Sequence, residues 1–172
     1  MDYFKLFGLS PQLELDTKAL KRKYYQLSKE AHPDHFTQDD AATQQKQLDV
    51  SSQVNEAYKT LKNEESRIQY ILTEKGLLGD NDQKVPQTFL MEMMEINEAL
   101  MDLEMGSDEA EYESAMRRVK DFESALLTQL EEIKKGWTEE PDTDSLEALK
   151  DYYLKNRYLL RMKENLSKFA DR

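Results

Sequence analysis

The sequence predicts an all-α protein, on three observations. Glycine and proline are scarce, five and four in 172 residues, which leaves few of the turns that a sheet needs. Apolar side chains recur every three or four residues through most of the chain, the spacing of one face of a helix. Asp residues stand ahead of these stripes, in places with Glu three residues on, as they do at helix N-termini.

Taken in order, Asp2 can cap a short helix carrying Tyr3, Phe4, Leu6 and Phe7, and Gly8 ends it. So many aromatics on so few residues suggest a plug packed against something larger. Leu13 and Leu15 precede Asp16, the N-cap expected for a helix over about 17–31. Its inner stripe is Leu20, Tyr24, Leu27 and Ala31, while Lys18, Lys21, Arg22, Tyr25 and Lys29 lie on the rest. Pro33 pushes His32 out of the helical region and stops this helix. A loop over 35–38 follows, and Asp39 or Asp40 caps a second helix with Leu48, Val54, Ala57, Tyr58 and Leu61 on one side. It can pair antiparallel with the first. After a break at Asn63, a short helix bearing Ile68, Ile71 and Leu72 runs to Gly76. These elements form a first domain over 1–76.

Gly79 and the polar run to Lys84 mark a linker over 77–85. A second domain over 86–172 begins with Pro86 in the first turn of a helix to about 105. Phe89, Met93, Ile96, Leu100 and Leu103 make an inward stripe. Leu90, Met91 and Met94 lie off it, beside Glu95 and Glu98. Such a surplus of Met and Leu suits either a helix buried on two sides or an adaptable binding face. Gly106-Ser107 ends the helix, and Asp108 with Glu111 caps the next, whose stripe is Tyr112, Met116, Val119, Phe122, Leu126, Leu130 and Ile133. Trp137, between Gly136 and Pro141, is expected to cover the bundle end. Asp144 with Glu147 caps the last helix, with Leu146, Leu149, Tyr153, Asn156, Leu160, Leu166 and Phe169 inward. Three such helices with short connections make an antiparallel three-helix bundle.

Composition bounds the function. With no cysteine, disulfides, thiol nucleophiles and thiolate metal sites are excluded. Two histidines, His32 and His35, are too few for a zinc site without carboxylates to complete it. A hydrolase or metal site built on His32, Asp34 and His35 lacks a nucleophile, a phosphate loop and enough ligands. No segment reaches the roughly 20 apolar residues of a membrane span, and Met1-Asp2-Tyr3-Phe4 has no basic leader, so a cytoplasmic protein is expected. The net charge of −11 argues against a nucleic-acid partner. Against that charge, the cations on 17–31 are nearly unmixed. The choice lies between an ordinary solvated surface and a docking face for an acidic partner.

A helix with a basic face, then His32-Pro33-Asp34 in a loop, then an antiparallel helix with Asn55-Glu56-Ala57-Tyr58, resembles a J-domain. The opening Met1-Asp2-Tyr3-Phe4 with Phe7-Gly8-Leu9, and the later Phe89-Leu90-Met91-Glu92, make the whole chain similar to the HscB family of J-type co-chaperones of iron–sulfur cluster assembly. The resemblance implies a partner chaperone of the DnaK type (HscA-like), whose ATP hydrolysis is stimulated, so that this chain is not itself an enzyme. It implies that His32, Pro33 and Asp34 are the signal and that Lys18, Lys21, Arg22, Lys23 and Lys29 dock on the chaperone. It implies an iron–sulfur scaffold (IscU-like) as second partner, bound by Leu90, Met91, Met94, Glu95, Glu98, Asp102 and Tyr158. At Tyr158, tyrosine replaces a more apolar aromatic. Some eukaryotic relatives carry a cysteine-rich metal-binding extension; without cysteine no metal role transfers, and no cofactor is expected. The alternative is a general J-domain co-chaperone serving other clients.

Overall fold

The computed structural model describes residues 2–32, 36, 40–79, 85–104 and 109–170. All regular structure among them is helical. The helices are α1 (Tyr3–Phe7), α2 (Thr17–Glu30), α3 (Ala41–Lys62), α4 (Glu64–Glu74), α5 (Gln87–Glu104), α6 (Glu109–Gly136) and α7 (Thr143–Ala170). The chain forms two compact units: Met1–Ile71 with Trp137–Glu140, and Leu72–Gly136 with Pro141–Arg172.

In the first unit, local chemistry sets each helix start. Oδ1 of Asp2 accepts from the N–H groups of Phe4 and Lys5; Asp16 serves Lys18 and Ala19, and Asp40 serves Ala42 and Thr43. Each carboxylate takes up donors that a helix cannot satisfy internally. Gly8, at φ 65°, ends α1 in the left-handed region that other residues avoid. Asn63 closes α3 with extended backbone and starts α4: its side-chain oxygen accepts from Ser66 N–H and its carbonyl from Arg67 N–H.

The core contains Phe4, Phe7, Leu13, Leu20, Ala31, Val54, Ala57, Leu61, Ile68 and Ile71. The α2–α3 hairpin is held at mid-length by Tyr24, which stacks on Tyr58 with centroids 4.1 Å apart and donates to Asn55 Oδ1 at 2.7 Å. Tyr3 stacks on Tyr70 at 4.5 Å, and the Tyr3 N–H donates to the Tyr70 hydroxyl at 2.9 Å. Leu48, expected inward, is 48% exposed. At about 100° per residue it lies roughly 140° round α3 from Leu61, so the stripe that buries Val54, Ala57 and Leu61 does not include it.

Arg67 was not expected in this core. It is buried, and its Nε and Nη2 both donate to the Leu13 carbonyl, at 3.0 and 2.7 Å, while Nη1 donates to the Leu61 carbonyl at 2.6 Å. One guanidinium thus ties the segment before α2, the end of α3 and the start of α4. Burial lowers its pKa, and the charges of Glu64 and Glu14 act the other way.

In the second unit, α6 and α7 run antiparallel, as the Gln129–Asp151 and Lys163–Glu123 pairs require. Phe89, Met93, Ile96, Ala115, Val119, Leu126, Leu130, Leu149, Tyr153, Leu159 and Met162 are buried. The side chains of Leu100, Leu103, Tyr112, Leu166 and Phe169, and the whole of Asp108, lie outside the described residues. Three expectations are corrected. Asp142 caps α7, accepting from Ser145 N–H at 2.8 Å, and Asp144 falls in the first turn. Leu160 is partly exposed while Leu159 and Met162 are buried; Tyr152, Tyr153 and Leu154 are buried in succession, which one stripe cannot accommodate. Trp137 clusters with the first unit, its Nε1–H donating to the Pro11 carbonyl at 3.4 Å.

Replacing Arg67 by Met keeps apolar bulk and strips Leu13 and Leu61 carbonyls of their buried donor. We expect about 2–3 kcal/mol of lost stability, read as a lower urea midpoint. An unchanged midpoint contradicts the pinning role.

Candidate functional site

Two surfaces stand out, one on each unit. The first is built on α2. Asp16 fixes where the helix begins, and the stripe of Leu20 and Ala31, with half-buried Tyr24 and Leu27, fixes which side turns inward. Lys18, Lys21, Arg22 and Lys29 are therefore exposed together. Tyr25, 59% exposed, stands among them with Lys21 Nζ 5.8 Å from its ring centroid. Lys23 differs from the other four: it is half-buried, on the flank of α2 away from Tyr25. The helix ends at Ala31, whose N–H donates to the Leu27 carbonyl, and exposed His32 follows with its N–H on the Lys29 carbonyl at 3.4 Å. Pro33, Asp34 and His35 lie outside the described residues. Among the described residues no cluster of three or more His, Cys, Asp or Glu is arranged to hold a metal ion. No described helix is long and apolar enough to cross a membrane.

The second surface is built on α5. Phe89, Met93 and Ile96 are buried, which leaves Leu90 (37% exposed), Met91 (64%) and Met94 (65%) outward with Glu98. Of the two readings of this helix, burial on both sides is thereby excluded. The side chains of Glu95 and Asp102 lie outside the described residues. Tyr158 of α7 is half-buried, edge-on to Phe89 with centroids 5.7 Å apart, and its hydroxyl accepts from Asn97 Nδ2 at 2.9 Å. The family resemblance names Tyr158 for this surface and does not name its hydrogen-bond partner Asn97. The signal was available: Asn97 is seven residues from Leu90 and three from Met94, on the same side of one helix.

Residues 2–70 match the family model of the DnaJ domain, and residues 85–167 that of the HSCB C-terminal oligomerisation domain. The chain belongs to the HscB family. Chaperone HscB from Vibrio cholerae is 28% identical, with 99% of this chain and 98% of that one covered and a TM-score of 0.69. The crystal structure of human co-chaperone protein HscB is 29% identical, covering 97% of this chain and 81% of that one at a TM-score of 0.71. As an HscB-family protein it is a J-type co-chaperone of iron–sulfur cluster assembly. Membership carries with it, in general terms, a chaperone partner of the Hsp70 class and binding to an iron–sulfur scaffold.

The cap that orients the basic helix is also a titrating group. The N–H groups of Ala19 and Lys18, then the charges of Arg22 and Lys18, hold the Asp16 carboxyl below its ordinary value of 3.8. A depressed folded-state value means that the contribution is present above the unfolded value and is lost as pH falls through the folded one. Asp16→Asn keeps a capping oxygen and removes the charge. Its thermal midpoint is expected to fall less steeply than the parent's as pH drops below 3.8; parallel acid limbs contradict the assignment.

Proposed function

We propose that this HscB-family chain stimulates ATP hydrolysis by a DnaK-type chaperone, HscA-like in kind, and delivers an IscU-like scaffold to it during cluster assembly or transfer. In this reading residues 1–76 form the activating domain, 77–85 the linker and 86–172 the scaffold-binding domain, working in the cytoplasm. The observation that supports it most is the separation of two unlike exposed faces: a cationic stripe on α2 ending at His32, and an apolar patch on α5.

Each face suits its part. Lys18, Lys21, Arg22 and Lys29 form a patch of one sign on a chain of net charge −11, which steers encounter with an acidic surface. Lys23, half-buried, adds less. His32, Pro33 and Asp34 then meet the chaperone, where the Asp34 carboxylate favours one conformation of the partner over another. Hydrolysis takes place on the chaperone, and this chain supplies no reacting group and needs no cofactor. On the other unit Leu90, Met91 and Met94 provide adaptable apolar contact, Glu95, Glu98 and Asp102 an acidic rim, and Tyr158 a ring at the edge.

Steady-state ATPase of the cognate chaperone, with and without purified scaffold, tests both halves at once. Asp34→Ala is expected to abolish stimulation in either condition. Changing Leu90, Met91 and Met94 together to Ala is expected to leave scaffold-free stimulation intact. The same change should weaken scaffold binding by about 1–2 kcal/mol per hot-spot residue. Full stimulation by Asp34→Ala contradicts the trigger; unchanged scaffold affinity contradicts the apolar face.

A further inference from the structure

Asn97 lies beside the α5 patch and has no part in the reading above, on which this inference rests; its partner Tyr158 enters that reading only through its ring. Asn97 shares one side of α5 with Leu90 and Met94. Its amide donates to the Tyr158 hydroxyl at 2.9 Å, and both residues are half-buried. The Tyr158 ring packs edge-on against buried Phe89, which also meets Phe122 edge-on. Ring packing and hydroxyl contact together give Tyr158 two fixed points on one side chain.

We infer that Asn97 is a positioning residue for scaffold binding, acting through the Tyr158 hydroxyl so that neither polar group must be stripped of water when an apolar partner segment covers Leu90 and Met94. The physical argument concerns the cost of docking. A hydroxyl or amide at the edge of an apolar patch is satisfied by water in the free protein and orphaned once the patch is covered. Pairing the two beforehand removes that cost and holds the ring in one orientation, so less is lost on association. The segment that lies over this row is then apolar, and contacts the Tyr158 ring rather than its hydroxyl.

The test is a double-mutant cycle on the full chain, reading affinity for purified scaffold protein. Asn97→Leu orphans the Tyr158 hydroxyl and Tyr158→Phe orphans the Asn97 amide. Each is expected to weaken binding about 2- to 10-fold, the value of one hydrogen bond. The double variant, with neither polar group left, is expected to recover to within about 2-fold of the parent, since replacing both partners by apolar groups is nearly neutral. Far-UV circular dichroism and scaffold-free chaperone stimulation serve as controls, and both are expected to stay at the parent's level. Should Asn97→Leu not fold, Tyr158→Phe, which keeps the ring packing, must still weaken binding. Losses that add in the double variant overturn the inference, because the two residues then act independently. So does full affinity in both single variants while Met91→Ala/Met94→Ala binds weakly; that result leaves the docking face standing. If Met91→Ala/Met94→Ala also binds at full strength, the docking face itself falls.

Discussion

A helix turns through about 100° per residue, so a stripe of apolar side chains covers only part of its circumference. In a small domain that stripe is what the core takes up, and the remainder must be exposed. In the proposed function those remainders are the working surfaces. On α2 the inward side takes Leu20 and Ala31, and the rest carries Lys18, Lys21, Arg22 and Lys29. On α5 the inward side takes Phe89, Met93 and Ile96, and part of the rest carries Leu90, Met91 and Met94. The first remainder is charged and suits fast, oriented encounter; the second is soft and apolar and suits retention. Neither surface exists unless the opposite side of its helix is held in register.

What holds the register differs between the units. In the first, a few polar contacts act at the ends of helices, and stacked tyrosines act between them, Tyr24 on Tyr58 and Tyr3 on Tyr70. Asp16 and Asp40 set where α2 and α3 begin, Tyr24 on Tyr58 sets how the pair is aligned, and Arg67 ties Leu13, Leu61 and α4 together. In the second, apolar packing carries most of the weight, and polar pairs such as Lys163–Glu123 and Lys155–Asp151 lie on its partly exposed margins. Exposed ion pairs of that kind contribute little on their own.

The helical class, the caps at Asp2 and Asp16 and the basic face of α2 were legible in the sequence because each rests on local chemistry or on the period of a single helix; the third cap was narrowed only to Asp39 or Asp40, and the outer side of α5 only to two alternatives. Leu48 and Leu160 were misplaced for the same reason. A chain of three- and four-residue steps drifts slowly round a helix, and only the neighbouring helix decides where burial stops. Asp142 was passed over for Asp144 because an Asp with Glu three residues on looks like a cap, whereas the backbone turned one residue pair earlier. Arg67 was illegible as core because its charge hides the fact that it shares a side of α4 with Ile71; two carbonyls distant in sequence make its burial tolerable. Asn97 was missed because a polar residue near an inward stripe gives no sign of its partner, 61 positions away. For the site, residue types were readable and long-range pairings were not.

On the proposed function one molecule must carry both faces, since stimulating the chaperone and presenting the scaffold would be coupled only through the chain that joins them. The most direct measurement mixes two full-length variants, Lys21→Glu/Arg22→Glu and Met91→Ala/Met94→Ala, with chaperone and scaffold, and follows scaffold-dependent ATP turnover. Each variant retains the face that the other has lost. The account predicts that the mixture stays as low as the sum of the two variants measured separately. Turnover restored to the level of the parent protein would show that the faces act independently, and would contradict the account.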